Sequence, residues 1–278
     1  MSRGHPPPGG RPLGEETRGT THPNRLRRVD RWLVALHGAR LRRAADPLVV
    51  DLGYGRHPVT TLELADRLAE ARPDAEVVGV EIVRDRVEAA LPYARERLSF
   101  VRGGFNLPLG GRRPVVVRAM NVLRQYDEPA AAEAWTLLRA QLDDDGVLVE
   151  GTCDEVGRRA AWVALDKGGP RTLTFAARTD ALDRPGDLAE RLPKALIHRN
   201  VPGERVHAFL VAWDRAWLRA GDVLPRQRWA DAAAALVDEG WRVARNPARW
   251  RLGELTVAWR DVAPAGSPPD PPAGPASG

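Results

Sequence analysis

Residues Pro47 to Leu68 read PLVVDLGYGRHPVTTLELADRL. The run Leu48–Leu52 is apolar except for Asp51 and has the length of one strand. Gly53 and Gly55 follow at alternate positions, where a glycine permits a tight bend and a close approach of the backbone to a ligand. From Val59 onward Leu62, Ala65, Leu68 and Ala69 recur at helical spacing until Pro73 ends the pattern. A strand, a glycine turn and a helix open a β-α-β unit. The free N–H groups at the start of such a helix favour a negative ligand group.

The alternation continues on both sides of this turn. EVVGVEI (Glu76–Ile82), LSFVRG (Leu98–Gly103), RPVVVRAM (Arg113–Met120) and VLVEG (Val147–Gly151) read as further strands. Arg84–Arg97 reads as a helix that Pro92 kinks or splits, and Glu128–Leu142 as a helix with Pro129 in its first turn. Upstream, Asn24 is placed to cap an amphipathic helix carrying Leu26, Val29, Trp32, Leu33, Leu36 and Leu41, with arginines on its other face. After the fifth strand, RAAWVALD, the turn KGGP and RTLTFAAR predict a β-hairpin. Leu182–Trp241 reads as mainly helical, and Gly253–Val262 as a closing strand. The order predicts an α/β fold, a Rossmann-like three-layer αβα sandwich.

Composition bounds the rest. The chain has 278 residues and is 43% hydrophobic, enough for a full core. Residues 1–23 and 263–278, rich in Gly and Pro, are expected to be disordered tails around a single domain spanning 24–262. The net charge of +5 suggests nucleic acid, but only Lys167 and Lys194 among 42 basic residues are lysines, a skew that arginine-rich coding explains as well. Cys153 is the sole cysteine, so neither an internal disulfide nor a cysteine zinc site is possible, and no metal is expected. No apolar run reaches the roughly 20 residues of a membrane span, and no hydrophobic signal segment follows the start, so a cytoplasmic protein without membrane partners is expected.

Two cofactor classes suit a glycine turn in such a sheet. A dinucleotide site wants a third glycine, yet His57-Pro58 stands there. The pattern Asp51-x-Gly53-x-Gly55 instead resembles motif I of the class I S-adenosylmethionine (SAM)-dependent methyltransferases. The resemblance extends to GVEI with Glu81 as a ribose-binding acid, to FVRGGFNLPL (Phe100–Leu109) as the adenine loop, to RAMNVLRQY (Arg118–Tyr126), and to LDDDGVLVEG ending at Gly151. It implies a mostly parallel seven-stranded sheet with an antiparallel last strand, SAM as cofactor, and methyl transfer as the reaction. It also implies a cofactor site of Asp51, Gly53, Tyr54, Gly55, Glu81, Ile82, Asn106, Met120 and Asn121. The usual loop aspartate is replaced by Gly103, so backbone groups or Asn106 must serve the adenine.

No general base stands out, and methyl transfer from a sulfonium does not require one unless the acceptor holds its proton tightly. Asp154 and His198 are the candidates. Cys153 sits in a TC element faintly similar to that of RNA cytosine methyltransferases, without their second cysteine motif. The stretch Glu190–Phe209 concentrates basic and polar groups, and Lys194, His198, Arg199 and Asn200 are expected to bind a polar or anionic acceptor, with a small molecule slightly ahead of structured RNA. The competing functions are a SAM-binding protein without catalysis and an NAD(P)-dependent oxidoreductase.

Overall fold

A computed structural model describes residues 11–267. Eight strands form one sheet in the order β3-β2-β1-β4-β5-β6-β7-β8. They are β1 (Leu48–Leu52), β2 (Glu76–Glu81), β3 (Leu98–Arg102), β4 (Val116–Met120), β5 (Val147–Cys153), β6 (Arg159–Asp166), β7 (Gly169–Ala177) and β8 (Glu254–Ala258). The first five pair in parallel; β5–β6, β6–β7 and β7–β8 pair antiparallel. The expected seven strands are therefore corrected to eight. Of the three C-terminal strands, β6 and β8 run against the parallel set and β7 runs along it. The segment Gly253–Val262, read as a strand, adds β8 at the sheet edge against β7.

Helices cover both faces. On one lie α1 (Arg27–Arg43), α2 (Val59–Ala71) and α3 (Arg84–Ala90). On the other lie α4 (Glu128–Ala140), α6 (Arg205–Arg219) and α7 (Pro225–Asp238); the short α5 (Lys194–Ile197) and α8 (Pro247–Arg251) fill the connections. Strand period two explains the division: Leu48, Val50 and Leu52 enter one core, while Val49 enters the other. Helix α1 buries Val29, Trp32, Leu33 and Leu41 against the second core, at about 1.5–3 kcal/mol for each large apolar side chain. Pro92 ends α3 as predicted, and Asp127 caps α4 by accepting from the Ala130 amide at 2.8 Å. Asn24 does not cap α1. It takes a left-handed φ of 62°, and its amide donates to Glu63 Oε1 instead.

The chain ends differ from the expected tails. Residues 1–10 and 268–278 lie outside the described residues. Residues 11–23, expected as tail, form a strap over the carboxyl ends of the strands. The Phe105 amide donates to the Leu13 carbonyl at 2.8 Å, and the Leu13 amide to Asn106 Oδ1 at 2.8 Å. The Arg56 amide donates to the Gly19 carbonyl at 3.0 Å, and Arg86 pairs with Glu16 at 2.7 Å. These backbone partners are what orders a segment with little apolar surface to bury. Downstream, Ala263 is buried and the Ala265 amide donates to Glu204, so the packed chain also runs past residue 262.

Candidate functional site

The carboxyl ends of β1, β4 and β5 open on a cavity of about 490 Å³. Its floor includes Gly53, Tyr54 and Gly55 from the turn after β1, Met120 and Asn121 from the end of β4, and Cys153, Asp154 and Glu155 from the end of β5. Thr17, Arg18, Gly19, Thr20 and Thr21 of the strap complete the wall. This is where an open parallel sheet binds ligands.

Gly53 and Gly55 have φ of 73° and 87°, a region that favours glycine. A Cβ at Gly53 would come within 2.7 Å of Val122 Cγ2, and one at Gly55 within 2.8 Å of the Gly19 carbonyl oxygen. The second glycine thus admits the strap as well as shaping the turn. Asn121 is also left-handed, with φ of 60°, and its amide group bridges to β5. Its Oδ1 accepts from the Cys153 amide at 2.9 Å, and its Nδ2 lies 3.2 Å from Cys153 Sγ.

Asp51 lines the cavity but is committed to the core. On β1 it alternates with Val50 and Leu52 and so faces α1 and α2, directly beside Arg118 of β4. Arg118 holds it with Nε at 2.9 Å and Nη2 at 2.7 Å, and Thr61 donates to it at 2.7 Å. Arg118 also pairs with buried Asp30 of α1, which Arg67 reaches at 2.7 Å. Burial alone would lower the Arg118 pKa; the two carboxylates outweigh it and hold the guanidinium charged.

Glu81 is equally engaged. Its Oε2 accepts from the Gly55 amide at 3.0 Å, and its Oε1 from the Ile82 and Val83 amides at 3.0 and 3.2 Å. Beside it, the space bordered by Ile82, Gly103, Gly104 and Phe105 is reduced to about 20 Å³ by Leu13, Gly14, Glu15 and Thr17. A Cβ at Gly104 would run into the Leu13 carbonyl oxygen. Asn106, expected at an adenine, bonds the strap on both sides: its Oδ1 takes the Leu13 amide and its Nδ2 donates to the Arg11 carbonyl at 3.2 Å.

The remaining sequence candidates scatter. Both Asp154 carboxylate oxygens accept backbone amides, from Val156, Arg158 and Arg159, and so close the β5–β6 turn. The Cys153 thiol is buried, and burial pushes its pKa up. His57, at the third-glycine position of the turn, lies outside the cavity lining, 3.1 Å from the Tyr93 hydroxyl. Lys194, His198, Arg199 and Asn200 do not line the cavity: Arg199 is locked to Glu128 and Glu204, and Asn200 bonds His207. From their stretch only Arg191 reaches the cavity. It is joined there by Arg18, Arg25 and Arg124, which sequence reasoning did not single out.

Tyr54 gives one test of fit for a cofactor. Its hydroxyl is buried with no hydrogen-bond partner among the described residues, and burial drives its pKa up. Tyr54 packs edge-on against Phe100 in the core, so what the turn offers a ligand is the open space beside Gly53 and Gly55 rather than this hydroxyl. Beside Gly104 and Phe105 the space is filled by residues 13–17.

Strand order and site together define an α/β protein of Rossmann-like class with its cavity at the first β-to-α turn. No protein-family model and no curated protein matches the chain. Among solved structures, it is similar to the SAM-bound magnesium protoporphyrin IX methyltransferase of Synechocystis PCC 6803, at 24% identity over 45% of this chain and 56% of that one, with a TM-score of 0.36. It is also similar to the CcbJ methyltransferase of Streptomyces caelestis, at 21% identity over 55% and 65% of the two chains, TM-score 0.33. A third is the plantazolicin methyltransferase BpumL with SAH, at 13% identity over 38% of each chain, TM-score 0.31. The chain thus spans about half the length of the first of these and less than two thirds of each. Among the described residues no helix is long and apolar enough to cross a membrane, and no cluster of His, Cys, Asp and Glu has the makings of a metal site.

Proposed function

We propose that the chain is a class I SAM-dependent methyltransferase acting on a polar or anionic small molecule. The observation that carries this reading is the glycine turn after β1 opening into a 490 Å³ cavity at the carboxyl ends of β1, β4 and β5. SAM, when bound, supplies a methyl group on a sulfonium, with a neutral thioether as leaving group. Gly53, Tyr54 and Gly55 would hold its amino-acid end, with Met120 and Asn121 lining the same cavity. Glu81 serves the sugar, and the Phe105 amide and Asn106 serve the base once the strap gives up its bonds to them.

What the chain contributes to the reaction is alignment and exclusion of water. The Asn121–Cys153 bridge fixes the ends of β4 and β5 at the cavity floor. Strap residues 17–21 close the cavity from outside. Asp154 is spent on its own turn and serves as no base, so acceptors whose nucleophile needs no strong base are favoured.

The test is incubation of the full chain with methyl-labelled SAM and fractionated cell extract. Label entering a small-molecule fraction supports the reading. Label in RNA would move the acceptor, and tight SAM binding without any labelled product would leave a non-catalytic SAM-binding protein.

A further inference from the structure

The cavity has an excess of positive charge that its own acids do not neutralise. Four arginines line it, together with Asp51, Asp154 and Glu155. Asp51 is taken by Arg118 and Thr61, and Asp154 by three backbone amides, which leaves the exposed Glu155 as the one lining acid to set against four arginines. Arg25 is occupied by the carbonyls of Asp154 and Thr20. The other three have little or nothing. Among the described residues Arg18 has no ion-pair partner, and Arg124 reaches only the Glu190 carbonyl, at 3.3 Å. Arg191 shares the single Glu190 carboxylate with Arg159, at 3.3 and 3.4 Å.

These three arginines come from separate elements. Arg18 rides on the strap, Arg124 sits in the 3₁₀ turn Leu123–Gln125 after β4, and Arg191 ends the 3₁₀ segment Pro185–Arg191. The last is anchored to β5, where Thr152 Oγ1 donates to the Arg191 carbonyl at 2.5 Å. Like charges held together by independent anchors repel unless an anion sits among them. Burial lowers the Arg124 pKa first and the Arg191 charge next; Glu190 opposes them and Arg18 adds a smaller lowering. Guanidinium forks suit the paired oxygens of a carboxylate or phosphate.

We propose that Arg18, Arg124 and Arg191 form an anion-recognition site that takes a carboxylate or phosphate group of the cavity's substrate. Calling that substrate the methyl acceptor rests on the proposed function; the anion site itself does not. Because Arg18 belongs to the strap, binding of the anion also holds the strap down over the cavity.

The experiment is calorimetric titration of the full chain at low salt with inorganic phosphate and, separately, with benzoate, each with and without SAH. One phosphate or one benzoate per chain is expected; which of the two binds tighter assigns the group. Losing one charge-assisted contact should weaken that binding by about tenfold or more in Arg18→Gln, Arg124→Gln and Arg191→Gln. Arg219→Gln, at the remote Glu239 ion pair, should bind like the parent. Bound anion should also slow tryptic cleavage after Arg18 in the parent and not in Arg124→Gln. The proposal is overturned if neither anion binds, or if the three variants bind as the parent does. It is also overturned if they lose SAH while keeping the anion, which would give the arginines to the donor's own carboxylate. A parent that binds anions through these arginines yet never binds SAH would sink the methyltransferase reading and leave the anion site standing.

Discussion

Replacing Glu150 with Gln should make the protein more resistant to alkaline pH. Glu150 lies in the middle of β5 and points into the core shared by α4. It is 1% exposed; Trp135 Nε1 donates to one oxygen at 3.2 Å, and the other has no partner among the described residues. Burial raises its pKa from 4.5 to about 8 against the smaller opposing pull of Trp135. The folded chain therefore keeps this proton up to about pH 8, while the unfolded chain releases it near pH 4.5. Between those values the native state binds more protons, so stability falls as pH rises. At about 1.4 kcal/mol per pH unit over three and a half units, the loss approaches 5 kcal/mol, an upper bound because water and side chains relax around a buried charge. A glutamine side chain at this position does not titrate. Urea denaturation of both proteins at pH 5 and pH 8.5 should show their stability difference shifting by about 3–5 kcal/mol in favour of Glu150→Gln. Parallel pH profiles would refute the reasoning, because they would mean that Glu150 ionises in the folded state as readily as in the unfolded one.

Other perturbations follow from the same geometry. Arg118→Met leaves buried Asp51 with no cation and Asp30 with Arg67 alone, and should cost about 3–5 kcal/mol in urea denaturation near neutral pH. Gly104→Ala places a Cβ against the Leu13 carbonyl and should release the strap: limited proteolysis within residues 11–20 should accelerate several-fold with an unchanged far-ultraviolet spectrum. Cys153 should react with iodoacetamide at pH 7.5 at least about tenfold more slowly than a free thiol, since it is buried and its pKa is raised; full-rate alkylation of the folded chain would contradict its placement.

The parallel half of the sheet is legible in the sequence because its strands are short apolar runs, most of them ended by a glycine or an acid, and the hairpin because Lys167-Gly168-Gly169 interrupts two such runs. The position of the glycine turn outside β1 is legible for the same reason. The role of Asp51 is less so. An acid two residues before the glycine reads alike whether it meets a ligand or a buried cation. The discriminating signal is elsewhere: Arg118 sits inside an otherwise apolar strand, and Asp30 sits on the apolar face of α1 between Val29 and Trp32. Three charges in core positions imply that they pair with one another. The strap leaves little trace in composition, because backbone groups at Leu13, Glu15 and Gly19 make most of its bonds. The Glu190–Phe209 stretch misleads by its density of polar groups. Arg199 and Asn200 satisfy neighbours, and only Arg191, held by β5, stands at the cavity.

The central claim is that the turn at Gly53–Gly55 receives SAM. Its most direct test is equilibrium titration of the full chain with SAH and, in parallel, with NADH and NADPH. The account predicts one SAH per chain, no response to either dinucleotide, and tighter binding by Gly104→Ala, whose strap no longer competes for the nucleoside end. Saturable NAD(P)H binding with no SAH binding at millimolar concentration would contradict it.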